Sequence, residues 1–171
     1  MISYFNSTIF RKTLAGLSGF FLVLFLLGHL LGNLQLFIPG EDGQKQFNEY
    51  ALFMTTNPAV KILSVLTYSS IILHTVLTLF LVFQSSNARD VKYLQSSGNA
   101  NSTWGSKNMA VLGTLILIFI VIHMKSFWYE MHFGVIGLDP CGNKDLHTVT
   151  VTAFNEFWYV LFYVLSMLVL A

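Results

Sequence analysis

Three of the five histidines in this sequence lie inside long apolar segments, and each could do chemistry there. An imidazole can coordinate a metal, relay a proton or form a hydrogen bond, and a polar side chain is costly to place in hydrocarbon. His29, His74 and His123 are therefore candidate functional residues. His132 and His147 lie in polar stretches and are predicted to be ordinary solvated side chains.

The composition places these histidines in a membrane protein. The 171 residues are 54% hydrophobic and only 10% charged, with a mean hydropathy of +0.64. A soluble domain carries roughly 25% charged residues. The length suffices for four membrane-crossing helices of about 20 residues with short loops, and leaves no room for a separate soluble domain. We predict an all-α transmembrane helical bundle that forms a single membrane domain over residues 1–171.

Charge and cysteine content exclude several other classes. The net charge of +1 provides no basic surface for nucleic acid. Cys141 is the only cysteine, so an internal disulfide is impossible, and the sequence lacks the spacing of a zinc or iron–sulfur site. The first apolar segment exceeds the roughly 7 to 15 residues of a cleaved signal peptide. We therefore expect contacts with lipid and no nucleic-acid partner.

Four apolar runs predict the four helices. A Pro-Gly pair at 39–40 ends the first, Asn57-Pro58 opens the second, and Ser106 or Asn108 could cap the third. The last run is still apolar at Ala171, so we expect that the natural protein continues beyond it. The predicted helices cover residues of about 14–37, 60–83, 109–128 and 153–171.

The distribution of basic residues favours an N-terminus on the inner side of the membrane. In that orientation the inner segments hold five Lys or Arg residues and the outer segments four. The inner set is Arg11, Lys12, Arg89, Lys92 and Lys107.

Depth within the predicted helices separates the three histidines. At about 1.5 Å per residue, His29 and His123 lie on the order of 5 and 7 Å outward from the centres of their helices. His74 lies on the order of 4 Å inward. His29 and His123 thus share a layer, whereas a partner for His74 on the fourth helix is expected at or just past residues 169–171.

Two facing histidines at one depth are the ligands that a six-coordinate haem b requires. The Nδ1–H of a ligating imidazole needs an acceptor, and Ser70, one turn before His74, is a candidate. Small residues of the first helix could make room for the macrocycle, although two of them equally form a general helix-packing GxxxG motif. These are Gly16, Gly19, Gly28 and Gly32. The alternative is a non-haem transport or assembly protein whose histidines relay protons or bond between helices.

Four stretches of the sequence carry a family resemblance that covers essentially the whole chain. They are Gly16–Asn33 (GLSGFFLVLFLLGHLLGN), Phe47–Ala51 (FNEYA) followed by Asn57-Pro58, Trp104–Met109 (WGSKNM) and Val121–His123 (VIH). Together they resemble the cytochrome b558-type subunit of succinate dehydrogenase and fumarate reductase, most closely its Bacteroidetes branch. The resemblance implies a five-helix membrane anchor with two stacked haems b, docked to a flavoprotein and an iron–sulfur subunit.

The resemblance also implies function. Such a subunit has no independent active site. The resemblance implies that it passes electrons between succinate oxidation or fumarate reduction, reactions of the tricarboxylic acid cycle, and a quinone, expected to be menaquinone, in the bacterial cytoplasmic membrane. By matching position, His29 and His123 are expected to ligate the outer haem and His74 the inner one. The fourth ligand and the fifth helix are missing from this sequence, so we expect it to be C-terminally truncated.

Quinone chemistry also needs a carboxylate near the membrane surface for proton exchange. Glu49, in a segment expected at the interface, is the candidate, with a solvated loop residue as the alternative. A second alternative keeps the haem but changes the complex, as in a hydrogenase or formate dehydrogenase cytochrome b.

Overall fold

A computed structural model describes residues 7–88 and 102–170, and these are helical apart from short connections and an isolated bridge between Leu138 and Lys144. A 3₁₀ turn, Leu34–Phe37, follows the first of the α-helices given next, and a π-helical segment, Met124–Tyr129, lies between the fifth α-helix and the sixth. The α-helices are α1 (Thr8–Asn33), α2 (Gly40–Thr56), α3 (Pro58–Asn87), α4 (Trp104–Lys107), α5 (Met109–His123), α6 (Glu130–Phe133), α7 (Leu146–Phe154) and α8 (Phe157–Leu170).

Three helical stretches are long and apolar enough to cross a membrane: Thr8–Phe37, Pro58–Asn87 and Met109–Phe133. Helices α7 and α8 qualify only as a pair, and they are bent by 90°. The described residues therefore contain three such helices, or up to four if the bent pair is one span. Large apolar side chains along these helices are mostly exposed, which is consistent with a membrane protein.

The first three predicted helices are present with shifted ends. Helix α1 begins at Thr8 rather than near residue 14, because the Ser7 hydroxyl accepts a hydrogen bond from the Phe10 amide at 3.1 Å and caps it. Helix α3 begins at Pro58, as Asn57-Pro58 predicted. Asn108 occupies the N-cap position of α5, but its side chain donates to the Trp104 carbonyl instead of capping.

The fourth predicted helix, about 153–171, is wrong as a single element. The chain forms α7 and α8, with a break at Asn155 and Glu156. Asp145 starts α7 by accepting a hydrogen bond from the Thr148 amide, and the Asn155 amide closes it on the Val151 carbonyl. Ala171 lies outside the described residues, as do Arg89 and Lys92 of the orientation argument.

The chain divides into two compact units, each described by itself. Unit 1 comprises Met1–Leu31 and Pro58–Thr103, and unit 2 comprises Gly32–Asn57 and Trp104–Ala171. In unit 1, α1 and α3 bury small side chains, which let two helices approach closely. These are Ala15, Ser18, Thr67 and Ser70.

Unit 2 buries larger and more polar side chains. Helix α2 packs against α7, and α5 packs against α8. The buried apolar residues are Phe47, Ala51, Met131 and Tyr163, and the buried polar residues are Asn48, Asp139 and Thr150. The two units therefore position their histidines in different surroundings.

Candidate functional site

His74 in unit 1 is held by the backbone of α1. Its Nδ1 lies 2.9 Å from the Ala15 carbonyl oxygen and 3.3 Å from the Ser18 hydroxyl. A carbonyl oxygen can only accept, so in this hydrogen bond Nδ1 carries the hydrogen. The nitrogen that remains to coordinate a metal is Nε2, which is the arrangement usual for metal-ligating histidines.

Gly19 makes this contact possible. A Cβ atom added to Gly19 would lie 2.9 Å from Cε1 of the His74 ring. In a helix the Ala15 carbonyl points toward residue 19, so a glycine there leaves this oxygen, which also accepts from the Ser18 hydroxyl at 3.0 Å, accessible to the imidazole. Gly19 therefore makes room for the imidazole of His74, where the sequence predicted room for a macrocycle.

Ser70 was predicted to accept the hydrogen bond from Nδ1–H of His74, but the acceptors lie on α1 instead. Ser70 is buried, but the partners of the His74 Nδ1 are Ala15 and Ser18 on α1. The physical reason is that α1 carries small residues at this level, so the His74 side chain reaches the Ala15 carbonyl.

His29 and His74 lie at different levels of unit 1. The Arg11 guanidinium sits 4.6 Å from the centroid of the Phe80 ring, and His74 meets Ala15, so α1 and α3 run antiparallel. The same register places His29 level with about residue 62 of α3. At about 1.5 Å per residue the two histidines are separated by about 18 Å along the helix axis.

His29 lies on an open face of α1. Its ring stacks on Phe25, one turn earlier, with centroids 5.7 Å apart. A Cβ atom added to Gly28 would have no neighbour within 4 Å. A side chain at position 28 would therefore project into open space.

Gly32 has different surroundings from Gly28. It belongs to unit 2, where an added Cβ would collide with the Tyr50 side chain. Gly32 thus makes room for Tyr50, and burial raises the pKa of that phenol. The two glycines of the GxxxG pattern therefore do not act as one packing surface.

His123 ends α5 in unit 2, where the helix changes to π geometry. Its Nδ1 lies 3.1 Å from the hydroxyl oxygen of the buried Tyr163, which accepts a hydrogen bond from Tyr159 at 2.9 Å. Phe119 stacks on the imidazole and Phe127 meets it edge-on, with centroids 5.6 and 5.4 Å away. Single π-helical turns are frequent at functional sites.

Sequence reasoning missed the roles of Tyr159 and Tyr163. Both stood out only as aromatic members of the last apolar run. Their spacing of four residues puts both hydroxyl groups on one side of α8, and that spacing was the available signal.

Glu49 lies on the exposed side of α2. Its carboxylate is 3.9 Å from the Lys45 ammonium, and both side chains are 56% exposed, so the pair contributes little to stability. Its role in proton exchange stays a prediction.

The neighbouring Asn48 is fully buried and was missed by sequence reasoning. Its amide nitrogen donates to Asp139 at 3.2 Å and to Asp145 at 3.0 Å, and its oxygen accepts from the His147 amide at 2.9 Å. Gln44 also donates to Asp145, at 2.8 Å. These bonds tie α2 to the loop that leads into α7.

The same bonds set the ionisation of the two aspartates. Burial by itself would raise the pKa of Asp139, but hydrogen bonds from Asn143, Asn48 and the Cys141 amide bring that pKa below its usual value. Burial by itself would also raise the pKa of Asp145, but hydrogen bonds from Thr148, Asn48 and Gln44 bring that pKa below its usual value. Both carboxylates are therefore stabilised in the charged form.

The predicted pairing of His29 with His123 joins residues of different units and stays a prediction. Within the described ranges no three His, Cys, Asp or Glu side chains cluster to hold a metal ion. A haem iron takes a single imidazole on each side of the ring, and Nδ1 of His74 and Nδ1 of His123 each lie in a hydrogen bond. The donor set therefore fits that group.

Fold and site together define a class: the described residues form helices, three or four of them long and apolar enough to cross a membrane, that carry hydrogen-bonded imidazoles. Comparison with known proteins found no matching family model, no matching curated protein and no matching solved structure.

Proposed function

We propose that the chain is the haem b-carrying membrane anchor subunit of a succinate dehydrogenase or fumarate reductase, the family that its sequence resembles. It would dock to the flavoprotein and iron–sulfur subunits and exchange electrons with menaquinone or another quinone. In this proposal the chain has four spans, with α7 and α8 together as the fourth, and its N-terminus is on the cytoplasmic side of the bacterial inner membrane.

The observation that carries the proposal is the hydrogen bond from His74 to the Ala15 carbonyl, inside two apolar helices. It fixes the tautomer in which Nε2 is a free electron-pair donor. The family resemblance then supplies the group that Nε2 would bind.

The spacing within unit 1 supports two separate haem sites. His29 and His74 are about 18 Å apart along the helix axis, within a hydrocarbon core of about 30 Å. His29 and His123 would hold the outer haem, and His74 would be one ligand of the inner haem. When bound, haem b supplies one-electron transfer. The hydrogen bonds at Nδ1 of His74 and His123 would orient these two ligands.

Little side-chain bulk surrounds the proposed outer ligand. Gly28 has open space where a side chain would project, and His29 is exposed beside it. A flat apolar macrocycle needs such a face, and the exposed apolar side chains Leu27 and Leu30 flank it.

A reduced-minus-oxidised absorbance spectrum of the purified full-length protein tests the proposal. We expect a b-type band. His29→Ala and His123→Ala should each remove the same spectral component, whereas His74→Ala should remove the other. His132→Ala is the control, because His132 lies outside the proposed sites and should leave both components in place.

The absence of any b-type band in the wild-type protein would overturn the proposal. Loss of different components from the His29 and His123 variants would overturn the ligand pairing.

A cytochrome b of another respiratory complex would give the same spectrum. Co-purification of a flavoprotein with succinate- or fumarate-dependent activity separates the two, because a hydrogenase or formate dehydrogenase complex would lack that activity. A non-haem transport or assembly protein is the other candidate, and the hydrogen bond between His123 and Tyr163 favours it as a proton path. That candidate predicts no b-type band.

A further inference from the structure

A chain of three hydrogen-bonding side chains links Tyr159, Tyr163 and His123 in unit 2. Tyr159 donates to the Tyr163 hydroxyl at 2.9 Å, and that hydroxyl lies 3.1 Å from Nδ1 of His123. Tyr163 is buried in the middle of the chain, and Tyr159 at its end is partly exposed. Each of the three side chains can donate one hydrogen and accept another. The two hydrogen bonds can therefore both point toward His123 or both point toward Tyr159.

The direction of donation in these two hydrogen bonds decides which nitrogen of His123 can bind a metal. When Tyr159 donates to Tyr163 and Tyr163 donates to Nδ1, the neutral imidazole carries its hydrogen on Nε2. When Nδ1–H donates to Tyr163 and Tyr163 donates to Tyr159, the neutral imidazole carries its hydrogen on Nδ1, and Nε2 is the nitrogen that can coordinate a metal. His74 has no such choice, because its partner is a carbonyl.

The surroundings leave the buried hydroxyl few other partners. The rings of Phe119 and Phe154 lie edge-on to Tyr163, with centroids 5.0 and 4.9 Å away, and Phe127 and Phe162 also contact it. Phenylalanine rings offer no conventional donor or acceptor. An unpaired buried N–H or O–H is costly, so reversal at one bond favours reversal at the other.

We infer that Tyr163 is a positioning residue that sets the tautomer of His123, and that Tyr159 completes a reversible chain. This inference deepens the proposed function and rests on it where the metal is haem iron. On reversal Tyr163 passes its proton to Nδ1, and Tyr159 passes its proton to Tyr163. Tyr159 then takes up one proton at the exposed end while Nε2 releases one, so the net charge is unchanged.

The test uses the full-length protein with Tyr163→Phe, Tyr159→Phe and the control Tyr129→Phe, whose hydroxyl lies outside the chain. The first measurement needs no haem: nitrogen NMR of ¹⁵N-histidine-labelled protein depleted of haem, with the His123 signal assigned by its loss in His123→Ala. We expect a hydrogen-bonded Nδ1 in the wild type and in Tyr129→Phe, and loss of that bond in Tyr163→Phe. An unchanged Nδ1 signal in Tyr163→Phe would overturn the inference.

The second measurement is the midpoint potential of the haem that depends on His123. An acceptor on Nδ1–H makes the imidazole a stronger ligand and favours the oxidised iron. Tyr163→Phe should therefore raise the potential most and weaken haem retention by about tenfold or more, as loss of such partners does elsewhere. Tyr159→Phe should raise the potential less, and Tyr129→Phe should leave it unchanged.

The outcomes separate the two proposals. A wild-type protein without haem refutes the proposed function, while the NMR measurement still tests the chain of hydroxyl groups. A haem-loaded Tyr163→Phe protein with an unchanged potential refutes the inference and leaves the proposed function intact. Equal shifts in Tyr159→Phe and Tyr129→Phe would also refute it, because they would reflect a general structural change.

Discussion

His74 and His123 are held by two different kinds of hydrogen-bond partner. The partner of His74 is a backbone carbonyl, which only accepts and therefore fixes the tautomer. The partner of His123 is a hydroxyl, which leaves the tautomer adjustable. The two partners therefore differ in whether they fix the position of the imidazole hydrogen.

The packing around His74 in unit 1 also differs from the packing around His123 in unit 2. Unit 1 brings two helices together through small residues, and its described residues include no Asp or Glu. Unit 2 uses aromatic rings around His123 and a buried amide, Asn48, bonded to two carboxylates. Unit 1 should thus respond to added side-chain volume, whereas unit 2 should respond to changes in polar groups.

The largest expected effect comes from breaking the polar network of unit 2. Asn48→Leu removes the donors to the buried Asp139 and the partly buried Asp145, and the acceptor of the His147 amide. We expect a loss of about 3 kcal/mol in the free energy of unfolding. Hydrogen–deuterium exchange in lipid nanodiscs should show faster exchange in α2 and in the loop before α7, with α1 and α3 unchanged.

The neighbouring Glu49→Gln is the matched control, because that side chain is exposed and weakly paired. Its effect should stay within about 0.5 kcal/mol. Equal destabilisation by the two variants would mean that burial of Asn48 does not set the stability of unit 2.

A smaller effect is expected from adding one methyl group to unit 1. Gly19→Ala places a Cβ atom 2.9 Å from the His74 ring, so His74 must shift away from Ala15. We expect a net loss of about 1 to 2 kcal/mol despite the better helix propensity of alanine. Thermal unfolding and the ¹⁵N signal of the His74 Nδ1 measure the two consequences.

Gly16→Ala is the control on the same helix, since its added Cβ would meet nothing within 4 Å. It should be neutral or stabilising by up to about 1 kcal/mol. Similar behaviour of the two variants would argue against close packing of His74 on Gly19.

The smallest expected effect is a difference in acid sensitivity. Because Asp139 and Asp145 have a lowered pKa in the folded state, their stabilising effect is present above the pKa of the unfolded chain, about 3.9. It is lost as the pH falls further, through the lower folded pKa. Hydrogen exchange from pH 6 down to pH 3, corrected for the intrinsic rate, should show loosening around these aspartates before any loosening of α1 and α3. The opposite order would contradict the assignment.

Local signals predicted several elements well. Pro58 opens α3 because its ring is preformed for a first helical turn and needs no amide donor there. The apolar runs predicted the three spanning stretches because length and hydropathy are properties of the chain itself. The break at Asn155 and Glu156 was missed, since a run of apolar residues on both sides outweighed two polar ones.

The sequence by itself determined the class of protein and the imidazoles: apolar segments long enough to cross a membrane, with His29, His74 and His123 inside them. Only the tertiary structure decided what those imidazoles touch. The acceptor of His74 is a carbonyl of another helix, and the partner of His123 is a tyrosine forty residues later. Such partners depend on how closely helices approach and in which register, which no local pattern of residue types specifies.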